Sequence, residues 1–106
     1  MDKLLNFLGL CRRAGKLITG FDAVEETVLK GESQLVVIAD DTSPNTEKKL
    51  SRTCEANNVK LIKLDRSKDE ISVAVGRFAA TASITDKGFA QNIERLTQNK
   101  TGGNIL

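Results

Sequence analysis

Leu35-Val36-Val37-Ile38-Ala39, followed at once by Asp40-Asp41-Thr42-Ser43-Pro44, is the stretch from which the architecture of this chain is read. Five consecutive apolar residues without alternation describe a strand buried on both faces. Such a strand needs a helical layer above it and another below. Ser43 and Pro44 read as the N-cap and first-turn proline of the helix that follows. That helix carries Leu50 and Cys54 on one stripe and is expected to end at Asn57-Asn58.

The same alternation extends in both directions. Towards the N-terminus, Leu4, Leu5, Leu8 and Cys11 give a helical stripe over residues 2–14, closed by Gly15 with Arg12 and Arg13 in its last turn. Lys16 to Thr19 forms a short strand. Thr19 or Gly20 then caps a helix to about Lys30, with Phe21, Val24 and Val28 on one side and Gly31 closing it. Towards the C-terminus, Val59 to Leu64 is a strand, and Ser67-Lys68-Asp69-Glu70 is a capping box for a helix that stops at Gly76. Thr81 to Thr85 is the last strand. Asp86 caps a final helix with Phe89, Ile93 and Leu96 turned inward. Strands alternating with helices from end to end predict an α/β fold, a three-layer α-β-α sandwich. A single domain is expected over residues 1–99, with residues 100–106 as a flexible tail.

Composition limits the chemistry. The 106 residues are 40% hydrophobic and 28% charged, with a net charge of +2, which permits nucleic-acid binding without requiring it. Only four aromatic residues are present, all Phe, too few for a sheet that stacks several bases and also fills a core. Histidine is absent, so neither a zinc cluster nor a Ser-His or Cys-His pair can form. No catalytic residue, cofactor or metal site is expected. Cys11 and Cys54 could pair on counting alone. Both fall on apolar helical stripes, and buried free thiols are the better reading, which suits a cytoplasmic protein. The N-terminus is too interrupted by Asn6, Gly9 and the arginines to be a signal peptide or a membrane span.

Neither G-x-G-x-x-G nor a P-loop is present. Asp40 and Asp41 stand at the carboxyl end of the buried strand, where a magnesium ion could be held. Without an evident partner carboxylate, fixing the turn is the favoured role for Asp41. Asp22, Glu25 and Glu26 crowd the first turns of the second helix and complement its dipole. Asp22 lies closest to the helix opening, where a carboxylate could accept hydrogen bonds from a guanine edge. Lys48, Lys49 and Arg52, interleaved with Glu47 and Glu55, read as a solvated helix face. The strongest concentration of charge is Arg12-Arg13-Ala14-Gly15-Lys16-Leu17-Ile18-Thr19-Gly20, three cations ahead of a strand end and a helix start. Cations and free backbone N–H groups on one edge suit a polyanion. Gly76-Arg77-Phe78-Ala79 could present a cation beside an apolar surface, although a lone Phe is more often core.

That basic segment, together with Leu35 to Asp41, Asn45-Thr46 through Cys54, and Asn58-Val59, closely resembles YlxQ-type bacterial proteins, within the superfamily of ribosomal proteins L7Ae and L30e. The likeness runs from about Leu4 to Leu96. It implies a four-stranded mixed sheet and a monomer that binds structured RNA of the kink-turn type, ribosomal RNA included, in the company of ribosomal or translation proteins. It implies contacts at Thr19, Gly20, Phe21 and Asp22, and a loop from Val75 to Ala80, including Gly76, Arg77, Phe78 and Ala79, over a flipped-out nucleotide. Arg13, Lys16 and Arg77 would add phosphate contacts. The family signature Gly-x-Asn-Glu-x-x-Lys is met here by Gly20 alone. Asp22, Ala23 and Glu26 stand at the Asn, Glu and Lys positions. An alternative on the same scaffold is a protein-interaction adaptor, with Glu25, Glu26 and Glu32 facing a basic partner.

Overall fold

The computed structural model describes residues 2–102, and side-chain surroundings through residue 98. Helix α1 (Lys3–Arg13) starts on Asp2, whose carboxylate accepts from the Leu5 N–H at 3.0 Å. Strand β1 (Leu17–Thr19) leads into α2 (Phe21–Leu29), β2 (Leu35–Ile38) and α3 (Pro44–Ala56). Then come β3 (Leu61–Lys63), α4 (Lys68–Val75), β4 (Thr81–Ile84) and α5 (Lys87–Gly102). The local stop and start signals operate as read. Ser43 Oγ accepts from Thr46 N–H at 3.3 Å, and Asp86 accepts from Phe89 N–H at 2.9 Å. The capping box is reciprocal: Ser67 Oγ accepts from Glu70 N–H at 3.1 Å, and Glu70 accepts from Ser67 N–H at 2.8 Å.

The strand order is β1-β4-β2-β3, with β4 antiparallel to both β1 and β2, and β3 parallel to β2. This is the expected four-stranded mixed sheet in an α-β-α sandwich. Strands β2 and β4 occupy the centre and are buried along their whole length. Successive residues of β2 feed opposite layers. Leu35 and Val37 pack with Leu4, Leu8 and Cys11 of α1, Ile71 of α4 and Ile93 of α5. Val36 and Ile38 pack with Val24 and Val28 of α2 and with Leu50 and Cys54 of α3. Each such Leu, Ile or Val contributes about 1.5–3 kcal/mol by leaving water. Cys11 and Cys54 are free and lie in different layers of the core, so the sheet separates the two thiols.

Because β4 is central, its polar residues are buried too. Ser83 lies fully buried with its Oγ 2.8 Å from Thr27 Oγ1 and 2.7 Å from Ser33 Oγ. Thr27 also lies 2.7 Å from the Val24 carbonyl. These hydroxyls satisfy one another, which removes the penalty for burying them.

Several boundaries differ from the sequence expectation: β2, β3 and β4 each end one residue early, at Ile38, Lys63 and Ile84, and three further differences are larger or have a visible cause. Residues Val59 and Lys60 are not strand: Asn58 takes φ +57° and the Val59 N–H returns to the Cys54 carbonyl, so Val59 closes α3. Lys16 likewise precedes β1, although its carbonyl accepts from Thr85 N–H at 3.0 Å. Helix α5 continues through Gly102, so the first residues of the expected tail are helical. Residues 103–106 of that tail lie outside the described residues.

Candidate nucleic-acid interface

The opening of α2 is unusual in its cap. Gly20 holds φ +96° and ψ 142°, a region open essentially only to glycine, and it provides no side-chain hydrogen bond to the helix. Most helices place a Ser, Thr, Asp or Asn there to satisfy the first amides. Here those donors have no side-chain cap, and Asp22 is exposed beside them in the first turn. Phe21 is half-buried against the α2–α3 side of the core. The Gly20 N–H donates to the Thr81 carbonyl at 3.3 Å, which ties the end of β1 to the start of β4.

The segment leading into β4 is held equally firmly. Gly76 ends α4 in the left-handed region at φ +81°, and its N–H donates to the Ser72 carbonyl at 2.9 Å. Ser72 Oγ donates to the Lys68 carbonyl at 2.6 Å and accepts from Ala79 N–H at 2.9 Å. Val75 and Ala79 are buried anchors on either side. Between them Arg77 and Phe78 project into solvent, with Phe78 74% exposed. Val73, 84% exposed, joins Phe78, Arg77, Gly76, Ser72 and Asp69 around an open apolar groove. The Phe that sequence odds favoured as core is the most exposed aromatic residue among those described.

A third segment completes this end of the sheet. Ala39 N–H donates to the Ala80 carbonyl at 2.8 Å, and Thr42 Oγ1 reaches the Ala39 carbonyl at 2.8 Å. Buried Thr42 is a framework residue that no sequence motif signalled. Asp41 accepts from the Lys68 N–H at 2.8 Å, so its carboxylate fixes the start of α4 rather than the turn before α3. Asp40 remains exposed. Among the described residues no group of three His, Cys, Asp or Glu could hold a metal ion.

The basic segment does not form one edge. In the β1–β4 register Thr19 stands opposite Ala82, but Leu17 stands opposite Ile84. Lys16 therefore emerges beside Thr85, roughly 13 Å along the strand from Gly20 at about 3.3 Å per residue. A strand separates its ends, and one continuous basic edge from Arg12 to Gly20 is geometrically excluded. Arg13 folds back along its own helix: its Nη1 is 3.4 Å from where a Cβ on Gly9 would stand. Arg12 does something different. Its Nη1 comes within 3.9 Å of where a Cβ on Gly76 would stand, bringing a guanidinium to the Gly76–Phe78 loop. The sequence groups Arg12 with Arg13 and Lys16 as cations of the basic segment and does not indicate its approach to Gly76. The Gly20–Thr81 bond thus ties the Thr19–Asp22 segment to the strand that follows Gly76–Ala79, Arg12 comes to Gly76, and Lys16 lies at the other end of β1.

Two of the three acidic residues of α2 have partners within the fold. Glu25 accepts from Thr53 Oγ1 at 3.0 Å, joining α2 to α3. Glu26 forms a salt bridge with Lys30 one turn on, 3.5 Å apart and well exposed. Such a pair contributes about 0.3–0.5 kcal/mol. Of the three carboxylates an adaptor would present, Glu25 is tied to α3, while Glu26 and Glu32 are exposed. Lys48, Lys49 and Arg52 are exposed on α3, as a solvated face requires.

Residues 2–94 match the profile of the ribosomal protein L7Ae/L30e/S12e/Gadd45 family. A protein of Enterococcus faecium named RNA-binding protein YlxQ is 33% identical over 97 residues, covering 92% of this chain and 93% of its own length. A Thermoplasma volcanium protein named large ribosomal subunit protein eL8 is 33% identical over 88 residues, covering 82% of this chain and 73% of its own. Among solved structures, a Bacillus halodurans C protein of unknown function superposes with a TM-score of 0.87 at 27% identity, covering 92% of this chain and 99% of that one.

Proposed function

The chain belongs to the ribosomal protein L7Ae/L30e/S12e/Gadd45 family, and from that premise we propose that it is a non-enzymatic RNA-binding protein that recognises kink-turn-type RNA and works with the ribosome in the cytoplasm. The observation that carries this reading is the Gly20 N–H to Thr81 carbonyl bond. It joins a helix start without a side-chain cap to the first residue of β4, just after the segment that displays Arg77 and Phe78. Backbone donors and a positive helix end suit phosphate and base acceptors, and an exposed aromatic ring suits an unstacked base. The relative named as an RNA-binding protein supports RNA as the ligand, and the one named as a large-subunit protein supports the ribosomal setting. Among the described residues no helix is long and apolar enough to cross a membrane.

With Ala23 and Glu26 at the Glu and Lys positions of the family signature, base reading at α2 rests on Asp22 and on backbone groups. Each side-chain base contact that is missing costs about 1–3 kcal/mol of discrimination, by analogy with DNA readout. The Phe78 loop then carries a larger share of the specificity. The test is a titration of a kink-turn RNA against a duplex of equal length lacking the sheared G·A pairs. Tighter binding of the kink-turn is expected, and a steep decline of affinity with salt. Equal affinity for the two RNAs would remove the structure-specific part of the proposal.

A further inference from the structure

We infer that Arg12, carried on α1 outside both family RNA segments, is a contact residue of the RNA site and grips the phosphate of the nucleotide that Phe78 covers. The inference rests on the RNA-binding reading above and names a further residue within it.

Three observations meet at Arg12. Its guanidinium reaches the αL residue Gly76, although α1 and α4 are separated by more than fifty residues of chain. It is exposed, and among the described residues it takes part in no salt bridge and no side-chain hydrogen bond. A cation needed only for the helix dipole has no cause to reach across to another helix, and Arg13 already occupies the same last turn. The loop it meets is not free to adapt, because Ser72 Oγ pins Ala79 and Gly76 fixes the turn. The exposed Phe78 thus projects two residues along a held turn from Gly76, the position that the Arg12 guanidinium reaches.

An apolar ring beside an unpaired guanidinium matches the two halves of a nucleotide, a flat base and an anionic phosphate. Guanidinium binds phosphate through paired N–H donors in a fixed plane, which an ammonium cannot reproduce. The close packing that places Arg12 is itself visible. A Cβ on Gly9 would stand 2.7 Å from the Ala74 carbonyl oxygen, so α1 and α4 approach to backbone contact. That approach brings Arg12, one turn further on, within reach of Gly76.

The experiment compares wild type with Arg12→Gln, Arg12→Lys and, as a charge-matched control, Arg52→Gln on the α3 surface. Each is titrated with a kink-turn RNA carrying 2-aminopurine at its extruded position, across a salt series, and with the same RNA made abasic there. Arg12→Gln is expected to weaken binding about tenfold or more and to lower the salt slope by about 1. Arg12→Lys should keep the slope and lose part of the affinity. Arg12→Gln should also change the 2-aminopurine signal at saturation. Arg52→Gln should leave affinity and signal unchanged. Should wild type prefer the kink-turn while Arg12→Gln matches Arg52→Gln in affinity, slope and signal, the Arg12 assignment fails and the proposed function stands. A wild type that binds kink-turn and control duplex equally removes both.

Discussion

At the scale of single residues, Asp2 connects the first helix to the loop between β3 and α4. It caps α1 and also accepts from Arg66 Nε at 2.7 Å. The Arg66 hydrogen bond, helped by its charge, holds the Asp2 carboxyl below its ordinary value of 3.8. The stabilisation is therefore complete above that value and is lost as pH falls through the lower folded-state value. Asp2→Ala is expected to cost about 1–2 kcal/mol at neutral pH, seen as a melting temperature lower by roughly 4–8 °C per kcal/mol. The deficit should shrink towards pH 3, and a deficit independent of pH would exclude the ion pair as its source. The thiols give a second residue-level expectation. Burial pushes both Cys11 and Cys54 up to about 11, so at neutral pH fewer than about one in a thousand is thiolate. A thiol reagent should modify neither in the native protein and both on unfolding. Rapid native labelling of either would contradict its burial. That both are buried follows from the helical stripes; that the sheet divides them does not.

At the scale of elements, two glycines separate packing from conformation. Gly9 lies at the α1–α4 crossing, where a methyl group would meet the Ala74 carbonyl oxygen. Alanine gains about 1 kcal/mol in helix propensity, but a backbone contact at 2.7 Å forces the helices apart. Gly9→Ala is expected to lose about 1–2 kcal/mol net, read as a lower urea midpoint at unchanged slope. A raised midpoint would mean that the helices do not approach so closely. Gly20 has no neighbour within 4 Å of a would-be Cβ, so Gly20→Ala acts through φ +96° alone and should cost about 1–3 kcal/mol. It should weaken RNA binding as well, since it redirects the first amides of α2. The caps at Ser43, Ser67 and Asp86 were readable because a helix start is written in adjacent residues. The start of β3 was misread because the apolar Val59 serves the end of α3 instead, and both roles want the same side chain.

At the scale of the whole molecule, the question is which charges share a face. With Lys16 roughly 13 Å from Gly20, further than the screening length of about 8 Å at physiological salt, Lys16→Glu should weaken kink-turn binding less than Arg77→Glu. Glu26→Lys, which restores the cation of the family signature and releases Lys30, should strengthen it. The reverse ranking of Lys16 and Arg77 would return the site to the far end of β1. The succession of elements, the central buried strand and the two helical layers were all legible in the chain, as were the two segments, Thr19 to Asp22 and Gly76 to Ala79, on which the proposed site is built. Hydrophobic periodicity, capping and turn chemistry are properties of neighbouring residues. The placement of the last strand between the first two was not legible, since it depends on pairings such as Thr19 with Ala82. That insertion buries the hydroxyls of β4 and brings Gly20 against Thr81. The crossing of α1 on α4 brings Arg12 to Gly76. Contacts between residues more than fifty positions apart are chosen by how layers pack, and the packing of layers leaves no periodic trace in sequence.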